Sequence, residues 1–141
     1  MYKDILLAVD LNDENSWNKA LPVALELCQN GGANLHMLTV IPDFGMSIVS
    51  QYFPENFEEE VTGKAMTDLK AFVADKVPDG VNVRHLVGQG SVYEVILKMA
   101  AEAGADLIVV AAHRPELQDY LLGPNASRVV RHADISVLVV R

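Results

Sequence analysis

Short, unbroken apolar runs alternate along this chain with longer stretches whose apolar residues recur at helical spacing. Asp4-Ile-Leu-Leu-Ala-Val-Asp10 is one such run, ending in a carboxylate, as expected of a strand covered on both faces. Asn12, Asp13, Asn15 and Ser16 then offer helix N-caps, and Trp17, Ala20, Leu21, Ala24, Leu25 and Cys28 keep helical spacing until Gly31-Gly32 stops the helix. Pro22 lacks a backbone donor, which predicts a late or bent start to that helix. Residues 33–41 read as a second strand closed by Pro42. The connection 43–60 carries Phe44, Met46, Ile48, Val49, Tyr52, Phe53 and Phe57, too apolar for a solvated linker, so it is expected to cover the domain edge or act as a lid.

Val61, Ala65, Leu69, Phe72, Val73 and Lys76 mark a one-faced helix ended by Pro78-Asp79-Gly80. Residues 81–87 form a third strand, with Asn82, Arg84 and His85 placing it near a sheet edge. Gly88-Gln89-Gly90-Ser91-Val92-Tyr93 imitates a dinucleotide loop, but Tyr93 stands where the third glycine belongs and the unit follows the third strand. Ser91 and Glu94 read better as a capping box for a helix over 92–103, with Val95, Ile96, Met99 and Ala103 as its buried stripe. A strand over 107–112, a polar loop, a helix opening at Gly123-Pro124 and a last strand over 136–141 complete the order βαβαβαβαβ. That order implies an α/β fold: one five-stranded parallel sheet wrapped by helices on both faces, because parallel neighbours need right-handed crossovers. The most economical strand order is 3-2-1-4-5, which leaves a crevice between the carboxyl ends of the first and fourth strands.

The totals narrow the classes. A chain of 141 residues fits a single domain over 1–141 and buries roughly two thirds of its unfolded surface. No run approaches the roughly 18 apolar residues of a membrane span, and the opening MYKDILLAVD lacks a signal peptide's pattern, so a cytoplasmic protein is expected. A formal net charge of −8 argues against nucleic acid as a partner. Locally the sign differs: from Arg114 onward, Arg114, Arg128, Arg131 and Arg141 face only Glu116, Asp119 and Asp134. Cys28 sits on an apolar helical stretch and reads as a buried thiol. His36, His85, His113 and His132 show no metal-ligand spacing, and no metal site is expected.

Candidate chemistry gathers at the crevice. Pro124 suits the first helical position, so the free N–H groups of Asn125, Ala126 and Ser127 face back toward the strand end and form an anion seat. His113 and Arg114 leave the fourth strand on the same side, and an Arg fork suits a phosphate. Asp10 has three open roles: accepting hydrogen bonds from a ribose or base amine, contributing to a nucleotide-bound Mg²⁺, or capping the next helix. Val40 and Ile41 can flank a flat base or simply belong to the core. Apolar Val137, Leu138, Val139 and Val140 leave a sheet edge that pairing with a second copy would cover, burial under a helix being the alternative.

Over essentially its whole length the sequence resembles the universal stress protein family. The pieces that carry the resemblance are KDILLAVD, LHMLTVIPD, the Gly90-Ser91 turn, GADLIVVAAHRPE and LLGPNASRVVRHADISVLVV, the last being the most specific. It implies a doubly wound domain similar to adenine nucleotide alpha hydrolases, often paired through its last strand, with an ATP site in one branch. There a Gly-x-x-Gly pair, followed by Gly-Ser or Gly-Thr, wraps the phosphates. Asp10 matches the family's nucleoside-binding aspartate, Val40 its valine, Gly123 the glycine opening the last helix and Gly90 the turn glycine near the ribose.

The phosphate motif departs from that pattern. Ala111 and Arg114 replace the first glycines, and Pro124 replaces the hydroxyl residue. The chain is most similar to a branch with an SHRP and LLGxNA pattern in place of the glycines. The binding set implied is Ala8, Val9, Asp10, Leu11, Val40, Gly90, Val110, Ala111, Ala112, His113, Arg114, Gly123, Pro124, Asn125, Ala126 and Ser127.

Two functions stay open: an ATP-, ADP- or AMP-binding dimeric stress regulator, and a dimeric interaction protein whose cleft binds no nucleotide. An enzyme is not expected, since Gly-x-Ser-x-Gly, Cys/His and Walker-type patterns are lacking. A weak ATPase or AMP-forming activity using Asp10 and Arg114 is the third alternative.

Overall fold

The computed structural model describes residues 1–41, 57–112 and 124–141, with the backbone alone for Phe57 and Glu58. His113, Arg114, Gly123 and the connection 43–56 lie outside the described residues. Strand β1 (Asp4–Val9) is the middle of the sheet, and Ile5, Leu6 and Leu7 are fully buried. β2 (Asn34–Ile41), β3 (Val83–Gln89), β4 (Leu107–Ala111) and β5 (Ser136–Val140) join it in the order β3-β2-β1-β4-β5, with every pairing parallel. This is the expected fold, with strand ends shifted by one or two residues.

Because side chains alternate across a strand, each central strand feeds two cores. Ile5, Leu7, Leu35, Met37, Leu107 and Val109 point to one face, where α1 (Ala20–Gly31) and α2 (Phe57–Lys76) cover them with Leu21, Cys28, Leu69 and Val73. Leu6, Leu38, Ile108 and Val110 point to the other, under α3 (Val92–Ala103) and α4 (Pro124–His132) with Val95, Ile96 and Val129. Each fully buried leucine or isoleucine contributes roughly 1.5–3 kcal/mol of transfer free energy. β5 is covered less completely, Val137 through Val140 being half-buried at the sheet edge.

Pro22 is the third residue of α1, in the first turn, where backbone N–H groups have no helical partner. The helix starts late, as its position predicts, and no kink is needed. The expected capping box is corrected. Ser91 occupies the N-cap of α3 but makes no side-chain cap bond, and Glu94 instead accepts from the Tyr93 hydroxyl at 3.1 Å. The α3 stripe also shifts: Val95, Ile96 and Ala100 are buried, whereas Met99 and Ala103 are half-buried.

Two glycines set the β3–α3 turn. A Cβ on Gly88 would collide with Val95 Cγ1, so β3 and α3 approach closely only because that atom is missing. Gly90 has φ 135°, a conformation that side chains rarely adopt, and its N–H donates to the Ile41 carbonyl at 3.0 Å.

At the amino end of the sheet a polar ladder crosses the strands. Asn82 Nδ2 donates to Asn34 Oδ1 at 2.9 Å, while Asn34 Nδ2 (3.1 Å) and His36 Nε2 (3.0 Å) converge on Asp4 Oδ1. The Asp106 carboxylate accepts from the Lys3 and Asp4 amides at 2.9 and 3.0 Å, tying β4 to β1. The His36 and Asn34 donors hold the Asp4 carboxyl below its ordinary value of 3.8, against the opposing effect of desolvation.

Gly88→Ala is expected to lower stability by about 1–3 kcal/mol, read from the urea midpoint. Combined with Val95→Ala it should cost less than the sum of the two single changes, since they share one contact. For Asp4, a folded-state pKa below the unfolded one means its stabilisation is complete above the unfolded value and is lost as pH falls through the folded one. The stability gap between wild type and Asp4→Asn should therefore be largest near neutral pH and shrink below about pH 4 in urea titrations.

Candidate functional site

The cleft forms where α1 and α4 leave β1 and β4 toward opposite faces. Asp10 ends β1, and the loop after it satisfies its own backbone. Asp10 N–H donates to Ser16 Oγ at 2.8 Å, and the Ser16 hydroxyl lies 3.0 Å from Asp10 O and 2.7 Å from Asp13 O. Asp13 caps the following 3₁₀ turn (Glu14–Ser16) by accepting from Asn15 N–H. Asp10 Oδ1 accepts from Asn12 N–H at 3.0 Å, closing an Asx turn. Of the roles open to Asp10, capping α1 is excluded: its N-cap position is Lys19, and no side chain caps it. The other carboxylate oxygen of Asp10 has no partner among the described residues.

The cavity measures about 560 Å³, within the range of small-molecule sites. Of the expected binding set, Ala8, Val9, Asp10, Leu11, Val40, Val110, Ala111, Asn125 and Ala126 line it. Asn125 and Ala126 belong to the first turn of α4, whose leading amides lack helical acceptors; Pro124, its first residue, supplies no N–H. Gly90, Ala112, Pro124 and Ser127 stand outside the lining. Gly90 N–H donates to the Ile41 carbonyl of β2, and Ala112 N–H is engaged by the Val140 carbonyl at 2.9 Å.

Sequence reasoning missed several lining residues. Ser16 and Asn12 belong to the loop that presents Asp10, and Thr39 to the end of β2, beside Ile41, which was expected to flank a base. Val92 and Ile96 come from α3. Val61, Lys64, Ala65 and Asp68 come from the first half of α2, and Lys64 Nζ lies 2.7 Å from Asp68 Oδ2. The i,i+4 spacing of Lys64 and Asp68 was the available signal, but it reads equally well as a solvated helix face.

Elsewhere, burial pushes the Cys28 thiol up to about 11, which keeps it protonated and unreactive at neutral pH. Among the described residues no cluster of three or more His, Cys, Asp or Glu side chains is arranged to hold a metal ion. No described helix is long and apolar enough to cross a membrane.

The family model for the universal stress protein family matches residues 1–141. The chain belongs to that family. Universal stress protein G of Escherichia coli O157:H7 is 34% identical over 143 residues, covering 100% of both chains. Among solved structures, universal stress protein UspA from Lactobacillus plantarum superposes with a TM-score of 0.70 at 26% identity, over 99% of this chain and 98% of that one. A universal stress protein crystallised in complex with cAMP matches with a TM-score of 0.63 and 22% identity, over 99% and 97% of the two chains. At that identity the likeness carries the fold alone.

Proposed function

We propose that this universal stress protein binds an adenine nucleotide (ATP, ADP or AMP, with Mg²⁺ admissible) and acts as a homodimeric cytoplasmic regulator rather than an enzyme. One observation carries the reading: a 560 Å³ cleft at the β1/β4 switch point holds Asp10, Val40 and the leading residues of α4 together. In that arrangement Asp10 accepts from a ribose hydroxyl or takes part in binding the metal. Val40 and Ile41 flank the base, and the α4 amides face the phosphates. That a solved relative was crystallised with cAMP supports a nucleotide as the class of ligand. On its HRP and LLGxNA patterns we assign the chain to the branch that lacks the usual glycine pair, with Arg114 supplying a phosphate contact.

Pro124 favours the second reading, a dimeric interaction protein with no nucleotide, because it removes one amide from the phosphate seat. An exposed helix N-terminus contributes only about 0.3–1 kcal/mol to an anion, so one missing amide is a minor loss and the nucleotide reading is preferred. We assign no catalytic residue, and hydrolysis is expected to be slow or absent.

Native mass spectrometry of the protein as purified should show a retained adenine nucleotide. Calorimetry should show AMP or ATP binding that weakens at least about tenfold in Asp10→Ala. Wild-type protein that neither retains nor binds these ligands removes the nucleotide reading, and turnover unchanged in both Asp10→Ala and Arg114→Ala belongs to a contaminant.

The half-buried residues of β5 support self-association, since an apolar edge strand is a liability unless covered. Light scattering at micromolar concentration should report twice the chain mass, and a monomer there removes the dimer.

A further inference from the structure

On the face of the sheet away from α1 and α2, α3 and α4 pack against each other and present a cationic surface outside the cleft. Arg128, Arg131 and His132 are exposed, and their i, i+3, i+4 spacing puts them on one side of α4, away from buried Ala126 and Val129. None of the three lines the cavity. α4 carries no acidic side chain at all, in a chain whose net charge is −8.

The helix dipole accounts for Arg131 and His132, which stand in the last turn, but not for Arg128 in the middle of the helix. Arg128 rests on an aromatic side chain of α3: its guanidinium lies 5.3 Å from the centroid of the Tyr93 ring, and the His132 ring centroid lies 6.0 Å from the same point. That support restricts both side chains, so less rotamer freedom is lost when a partner binds. Glu94, beside Tyr93, accepts from the Tyr93 hydroxyl. Neither Arg128 nor Arg131 has an ion-pair partner among the described residues.

We infer that this α3/α4 face docks a short acidic segment of a partner protein, whose carboxylates pair with the guanidinium forks of Arg128 and Arg131. α4 is roughly 13 Å long, which matches about four residues of an extended peptide. Length decides the class of partner. A nucleic acid or long polyanion runs past α4 onto the exposed carboxylates of Glu94, Glu102 and Asp134, whereas a short segment stays within the patch. More distant acidic residues count for little, because the Debye length at physiological salt is about 8 Å.

NMR titration of the isotope-labelled full chain with a blocked Glu-Glu-Gly-Glu peptide tests this. Saturable shifts are expected in the amides of Tyr93, Arg128, Arg131 and His132, with a Kd below about 1 mM at low salt, and none with the Gln-Gln-Gly-Gln counterpart. Arg128→Glu should weaken binding about fivefold. Lys19→Glu makes the same change in net charge at an exposed position before α1, and should leave binding unchanged. Arg131→Glu, at a side chain with no ion-pair partner among the described residues, repeats the test should Arg128→Glu disturb the packing on Tyr93.

Absence of saturable shifts in the wild type overturns the proposal. So do shifts centred on Asp10, Leu11 and Asn125, which put the peptide in the cleft, and equal losses in Arg128→Glu and Lys19→Glu, which reduce the effect to overall charge. A short oligothymidylate that binds more tightly than the peptide through the same arginines overturns the choice of an acidic protein segment. None of these outcomes bears on the nucleotide reading, since the face lies outside the cavity.

Discussion

Everything in this fold depends on β1 being buried on both faces. Ile5, Leu6 and Leu7 have no access to solvent, and the alternation of side chains means that two separate cores must form around them. Parallel neighbours on both sides satisfy the backbone of such a strand, and parallel neighbours require helical crossovers. Once α1 is committed to one face and α4 to the other, none of the described helices spans the gap between the carboxyl ends of β1 and β4. The cleft is therefore a geometric consequence of burying the central strand.

The two ends of the sheet have opposite characters for a physical reason. At the amino end, Asn82, Asn34, His36, Asp4 and Asp106 bond to one another or to strand amides, which pins neighbouring strands in register. Buried His36 uses Nε2 in that ladder, and its Nδ1 has no partner among the described residues. At the carboxyl end, the polar groups are held by their own local turns. The Asp10–Ser16 loop closes on itself, and one oxygen of the Asp10 carboxylate has no partner among the described residues. Polar bonds between strands are thus concentrated at one end of the sheet and the cleft lies at the other.

Local charge in this acidic chain follows the same division. The −8 net charge disfavours polyanions at long range, and under the proposed function a small anion would meet helix amides at short range. The α2 face adds a neutral ion pair, which offers hydrogen-bonding character without changing the charge of the cleft.

The sequence by itself determined the element order, the sheet topology and the identity of the central strand. Those follow from local periodicity and from the handedness of crossovers, which need no knowledge of distant contacts. It also determined that Asp10, Val40 and Asn125 gather at one end of the sheet, because strand ends and helix starts are fixed by the same pattern. Only the tertiary structure decided which half of the α2 stripe faces core and which faces the cavity, since Val61 and Leu69 share one periodicity and differ only in what lies opposite. The same holds for Ser91 and Glu94, whose spacing matches a capping box while the nearby Tyr93 hydroxyl takes the carboxylate. Gly90, too, is legible as a turn glycine, but its bond to the end of β2 depends on where the neighbouring strand stops. Cavity shape and strand-end contacts arise between segments far apart in the chain, and no local pattern encodes them.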